Sequence, residues 1–254
     1  IVQVYRPDTN TWDSPVTSMP AKRTRGSIGV IDGKIYYAGG LDELGASKTT
    51  TYCYDPALNS WSTKTALPAT FHDQAYAVVG GYLYIVGGQK AGAVTSEMWK
   101  YDPVANTWTS VSAFALGVTV DQSAATVING MIHVAMGKDS TGKPFSCHFV
   151  YSPSADRWWR LPDPPLMGIC AHAVGQIDGV LRVICGTWQG SAAIGTFAIS
   201  SGNFGCDASQ VKLAAGAGIA TSCGKATPMW ANATNTTLVG GPPVALVSTA
   251  SCQL

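Results

Sequence analysis

Charge is scarce in this chain of 254 residues: Asp, Glu, Lys and Arg make up only 12% of it, and the net charge is +1. No polybasic field is available for nucleic acid or an anionic membrane surface. No uninterrupted run of about 18 apolar residues occurs, so a transmembrane helix is not expected. The seven cysteines form no CxxC pair, which removes the usual zinc knuckle. Ile1 opens the chain without an initiator Met or a signal-peptide pattern, so either a leader has been removed or the chain is a fragment. What abounds instead is Gly (28) and Pro (14), with Thr, Tyr and Trp. That composition suits short strands and tight turns, not amphipathic helices.

One segment recurs four times: Tyr5 to Trp12, Tyr54 to Trp61, Tyr101 to Trp108 and Tyr151 to Trp158. Tyr and Trp stand seven apart in each copy, and a Pro lies two residues after the Tyr. A second element alternates with it. Ser27 to Gly40 reads as strand, Asp-Gly turn, strand and a Gly pair, and Ala75 to Gly88 repeats it around Gly80-Gly81. Further copies turn at Asn129-Gly130 and Asp178-Gly179. These dipeptides supply the positive φ angles of two-residue hairpin turns. Two hairpins per period make a four-stranded antiparallel sheet with two apolar faces, which neighbouring copies must cover by stacking. Tyr and Trp then serve as aromatic spacers between sheets. The pairs Gly39-Gly40 and Gly87-Gly88 mark where backbone runs too close to a neighbour for a side chain.

The Gly pair, the later Tyr and the Trp seven beyond it resemble the kelch motif, over about residues 1–200. The resemblance implies an all-β fold, a β-propeller of four-stranded blades, usually six or seven in number. The expected organisation is an outer hairpin at 1–19, units at 20–68, 69–115, 116–165 and 166–200, and an Ala/Gly/Thr-rich extension at 201–254. Met136 and Cys185 replace the first Gly of the pair in the third and fourth units, and the fourth unit shows material for a third strand at best. The chain begins in mid-repeat, so either terminal strands close a small ring or the chain is part of a larger propeller completed by other blades.

Six cysteines, Cys147, Cys170, Cys185, Cys206, Cys223 and Cys252, crowd the second half, beside the sequons at Asn232 and Asn235. Disulfides and N-glycans at these positions, and a secreted or cell-surface location, are the expectation, with the cytoplasm as the alternative. Cys170, His172 and Cys185 fall near one another on one hairpin face; buried free thiols are the favoured reading, ahead of a disulfide or a soft-metal site.

In the kelch resemblance, the loops leading into each inner strand shape the mouth of the channel and hold ligands. Alignment on the turns puts Arg25, Asp73, Gln122 and Ala171 at that position, a mixed polar rim. Copper-radical oxidases of this resemblance need two His, two Tyr and a Cys joined to one Tyr. Here His72, His133, His148 and His172 are scattered, and Cys53 is flanked by Tyr52 and Tyr54 on the opposite strand face. No iron site, catalytic triad, carboxylate pair or phosphate loop emerges either. The expected function is therefore a non-enzymatic, extracellular interaction scaffold without cofactor or metal. Its partner would be a protein or glycan, or another chain of a larger assembly. A secreted oxidase or carbohydrate-active enzyme and a cytosolic adaptor are the alternatives.

Overall fold

The computed structural model describes residues 2–14, 16–114, 121–163, 173–177, 180–184, 187–188, 191–192, 195–200, 212–213, 217–222 and 225–230. All the regular structure among them is strand, and no helix there is long and apolar enough to cross a membrane.

Four antiparallel sheets of four strands follow one another along the chain. The first is Ser27–Ile31, Lys34–Ala38, Thr51–Asp55 and Ser60–Lys64, in that order from inner to outer edge. The second is Ala75–Val79, Tyr82–Val86, Met98–Asp102 and Thr107–Val111. The third is Ala124–Ile128, Met131–Lys138, Pro144–Ser152 and Arg157–Leu161. These are kelch-type blades of a β-propeller. The fourth, Ala173–Ile177, Val180–Ile184 and Gly195–Ser200, gains a short outer strand, Lys212–Leu213, paired to Gly195 and Thr196. It therefore has one strand more than the sequence suggested, drawn from the C-terminal extension. A further hairpin, Ala217–Ser222 with Lys225–Trp230, also lies in the extension.

The inner turns are of the mirror-image type that strand twist requires, with positive φ at both residues: 48° and 72° at Asp32-Gly33, 50° and 73° at Asn129-Gly130. At the Gly pair the reason is proximity. A Cβ on Gly40 would stand 2.5 Å from the Thr24 carbonyl oxygen, and one on Gly39 would stand 2.6 Å from that of Phe71. In the third blade only the second Gly survives. Gly137 keeps a φ of 130°, and the ladder shifts register between Ala135 and Gly137, so Met136 falls in a bulge and no longer needs to be Gly.

Sheets stack through their aromatic and aliphatic faces. Ile31, Tyr36 and Cys53 of the first blade close on Leu83 and Tyr101 of the second. Tyr84, Val86 and Met98 of the second close on Ile132, Val134, Phe149, Tyr151 and Trp158 of the third. The outer hairpins carry a clamp between blades. In each, Tyr and Trp rings pack at 5.0–5.2 Å between centroids. The Tyr hydroxyl donates to an Asn or Asp five residues on, at Asn10, Asn59, Asn106 and Asp156. That residue holds positive φ and accepts a backbone N–H from the preceding outer segment: Thr17 to Asn59, Thr65 to Asn106 and Ser112 to Asp156. The Trp indole returns a bond to the same segment, from Trp61 to the Thr17 carbonyl, Trp108 to Thr65 and Trp158 to Ser112. Tyr and Trp are thus more than spacers, because each of the first three blades ties its outer edge to the preceding outer segment.

Candidate partner-binding rim

Three consecutive blades present the same backbone device just before the inner strand. Arg25, Asp73 and Gln122 have φ of 58°, 59° and 53°, a left-handed conformation uncommon for residues other than Gly. They are linked in series. The Asp73 N–H donates to the Arg25 carbonyl at 2.9 Å, and the Gln122 N–H donates to the Asp73 carbonyl at 3.2 Å. The backbone bonds over-determine the strained torsions, so the side chains project from a fixed frame. The Arg25 guanidinium forks onto Asp73, Nε to Oδ1 at 2.6 Å and Nη2 to Oδ2. All three rim residues read from the sequence come together here, while Ala171 lies outside the described residues.

The residues just before these three bridge to the end of the second strand or the segment just after it: Thr24 to Leu41, His72 to Gln89 and Asp121 to Lys138. Each bridge draws the loop between the second and third strands to the same end of the molecule. Two of these loops share a frame. Asp42 accepts the N–H groups of Leu44 and Ala46, and Asp139 accepts those of Thr141 and Lys143. Lys48 and the Ala46 amide hold the Asp42 carboxyl below the usual range; the Thr141 hydroxyl does the same for Asp139.

Sequence reasoning missed the inner layer of this rim. Asp121 is only 5% exposed, and its Oδ2 accepts from Gln89 Nε2 at 3.1 Å while Oδ1 has no hydrogen-bond partner among the described residues. Burial raises the Asp121 carboxyl, and the nearby Asp73 adds to this; the Gln89 bond and Arg25 oppose it. Both amide atoms of buried Gln74 also lack partners, and His72 Nδ1 stands 3.2 Å from Ser47 Oγ. The only signal in the sequence was position: these residues flank the aligned rim residues.

The histidines are less scattered than expected. His133 Nδ1 and His148 Nε2 meet at 3.0 Å on adjacent strands of the third blade, because its long central hairpin sets Ala135 opposite His148. Burial pushes His133 down to about 4; burial and then His133 push His148 down to about 3. No Cys, Asp or Glu joins them, and among the described residues no cluster of three metal-ligating side chains occurs. Cys53 faces Tyr36 across the ladder and packs near Tyr101, with Tyr52 and Tyr54 as its chain neighbours. Cys147 is a free thiol with Arg160 Nη2 at 3.9 Å from its Sγ. Cys170, His172, Cys185, Cys206, Cys223, Cys252, Asn232 and Asn235 lie outside the described residues.

The family profile described as the KLHDC2/KLHL20/DRC7 Kelch-repeats domain matches residues 2–186. The chain belongs to the kelch-repeat family. Among curated proteins it is similar to mouse Kelch-like protein 35, at 28% identity over 154 residues, 60% of this chain and 25% of that protein. It is similar to beta-scruin of Limulus polyphemus at 34% over 85 residues, 34% of this chain and 9% of that protein. It is also similar to human Kelch-like protein 21 at 37% over 67 residues, 26% of this chain and 11% of that protein. The chain thus spans a quarter or less of these relatives. Kelch-repeat domains bind proteins.

Proposed function

We propose that this chain is a protein-interaction scaffold whose partner engages the rim that carries Arg25, Asp73 and Gln122. The observation that carries the proposal is the contrast between backbone and side chain at these positions. The backbone repeats from blade to blade, with φ between 53° and 59° and bonds in series, while the side chains are cationic, anionic and neutral. A fixed frame with side chains free to differ is the usual arrangement of a recognition surface on a rigid scaffold. Leu44, 88% exposed on the Asp42-framed loop at the same end, adds an apolar contact to it.

The test is site-specific photo-crosslinking. A photoreactive phenylalanine analogue at Gln122 should capture a protein in extracts of the native source, and the same group at Leu58, on an outer turn, should not. Equal capture from both positions would count against the rim. An extracellular address is part of the proposal. It rests on Asn232, Asn235 and the cysteines from Cys170 to Cys252. Intact-mass analysis without reductant tests it, and free thiols at every cysteine would exclude it.

A further inference from the structure

Of the two carboxylates at the rim, only Asp73 is held in an ion pair. Resting on the rim as the binding surface, we propose that it receives a cationic group of the partner, a lysine or arginine side chain, at the carboxylate of Asp121, beside the closed Arg25–Asp73 pair.

Arg25 is the cation an acidic partner would use, but it is already committed. Its guanidinium meets both oxygens of Asp73, the fork geometry in which arginine binds carboxylate best. An acidic side chain from outside would have to displace an intramolecular carboxylate held in the same frame. The Asp73 side chain is only 9% exposed, which further protects the pair.

Asp121 is the complement of this closed pair. It is nine-tenths buried beside Asp73, and Arg25 cannot fork onto both carboxylates at once. Gln89 donates to Oδ2 and the Gln122 backbone N–H also favours the carboxylate, while Oδ1 has no hydrogen-bond partner among the described residues. A buried acceptor without a donor is costly, more so when it carries charge. Lys138 lies alongside, with its backbone N–H and C=O spent on the bridge to Asp121, and its ammonium makes no ion pair among the described residues. Oδ1 is buried in the free chain, so a partner's donor satisfies it only by entering beside the Gln89 side chain; a cation there would also relieve the repulsion between the two carboxylates.

The experiment is selection of a random seven-residue peptide library displayed on phage against the immobilised full chain. The variants are Asp121→Asn, Arg25→Gln and Lys138→Met, each checked for folding by circular dichroism and thermal melting. The expected result is enrichment of peptides that share a lysine or arginine. A representative peptide should bind Asp121→Asn at least about tenfold more weakly than the unaltered chain, and Arg25→Gln at least as tightly. Should Asp121→Asn not fold, Arg25→Gln still decides: removing the competing guanidinium should not weaken basic peptides, and their loss there would show that the carboxylates are not what holds them. Enrichment of acidic or purely apolar peptides, or indifference to Asp121→Asn, would overturn the cation assignment and leave the rim standing. Basic peptides bound only by Lys138→Met would mean that Lys138 fills the site itself, which also overturns it. If no peptide is enriched on any of the proteins, both readings fall.

Discussion

Acid should loosen this protein well before its carboxylates protonate, and the cause is the His133–His148 pair. Both imidazoles are buried, at 5% and 1% exposure, and the bond at 3.0 Å between them leaves His133 Nε2 and His148 Nδ1 without partners. Their folded values, about 4 and about 3, lie below the ordinary 6.5. Below pH 6.5 the unfolded chain therefore takes up protons that the folded chain refuses. The stabilisation is complete above that pH and is lost as pH falls toward 4. At pH 5 each histidine costs about 2 kcal/mol, so the pair costs about 4 kcal/mol, a large share of a typical domain's stability. Asp121 works the other way, because a raised carboxyl favours the folded state as pH falls. The lowered carboxyls of Asp42, Asp55 and Asp139 act only nearer pH 4. Urea unfolding followed by tryptophan fluorescence at pH 7 and pH 5 measures the difference. The double variant His133→Leu/His148→Phe should lose most of the pH dependence in this window. Equal stability of the unaltered chain at both pH values, or a double variant that weakens as steeply, would refute the reasoning.

The clamp between blades is testable at Asn106, which accepts from the Tyr101 hydroxyl and the Thr65 amide while holding a φ of 54°. Asn106→Ala should cost about 2–4 kcal/mol in urea unfolding, against under about 0.5 kcal/mol for the neighbouring exposed Val104→Ala. A turn glycine and a Gly-pair glycine separate backbone strain from crowding. Gly33→Ala, with nothing within 4 Å of the new Cβ, should cost about 1 kcal/mol. Gly40→Ala, whose Cβ would stand 2.5 Å from the Thr24 carbonyl oxygen, should lower the melting temperature several times as far.

Much of the fold was legible because the repeat writes itself in turn chemistry. Asp32-Gly33 and Asn129-Gly130 both specify the turn and fix the register of their hairpins, and Tyr and Trp mark the outer hairpin. Alignment on those turns also found Arg25, Asp73 and Gln122, since equivalent positions in a repeat occupy equivalent places. What the chain order does not encode is contact between blades. The fork of Arg25 onto Asp73 joins residues 48 apart, and the orphaned oxygen of Asp121 depends on what surrounds it. The histidine pair escaped notice because its register follows from a long hairpin with a bulge at Met136 and no two-residue turn to count from. Lys212–Leu213 carries no alternation at all, being only two residues long, so its place in the fourth blade follows from pairing alone.

The central claim is that partners are read at the rim, and amide hydrogen exchange of the full chain with its photo-captured partner tests it most directly. Peptides spanning residues 24–26, 72–74 and 121–123 should exchange more slowly in the complex, with the outer turns at 57–59 and 104–106 unchanged. Slowing at the outer turns, with the rim unaffected, would contradict the account.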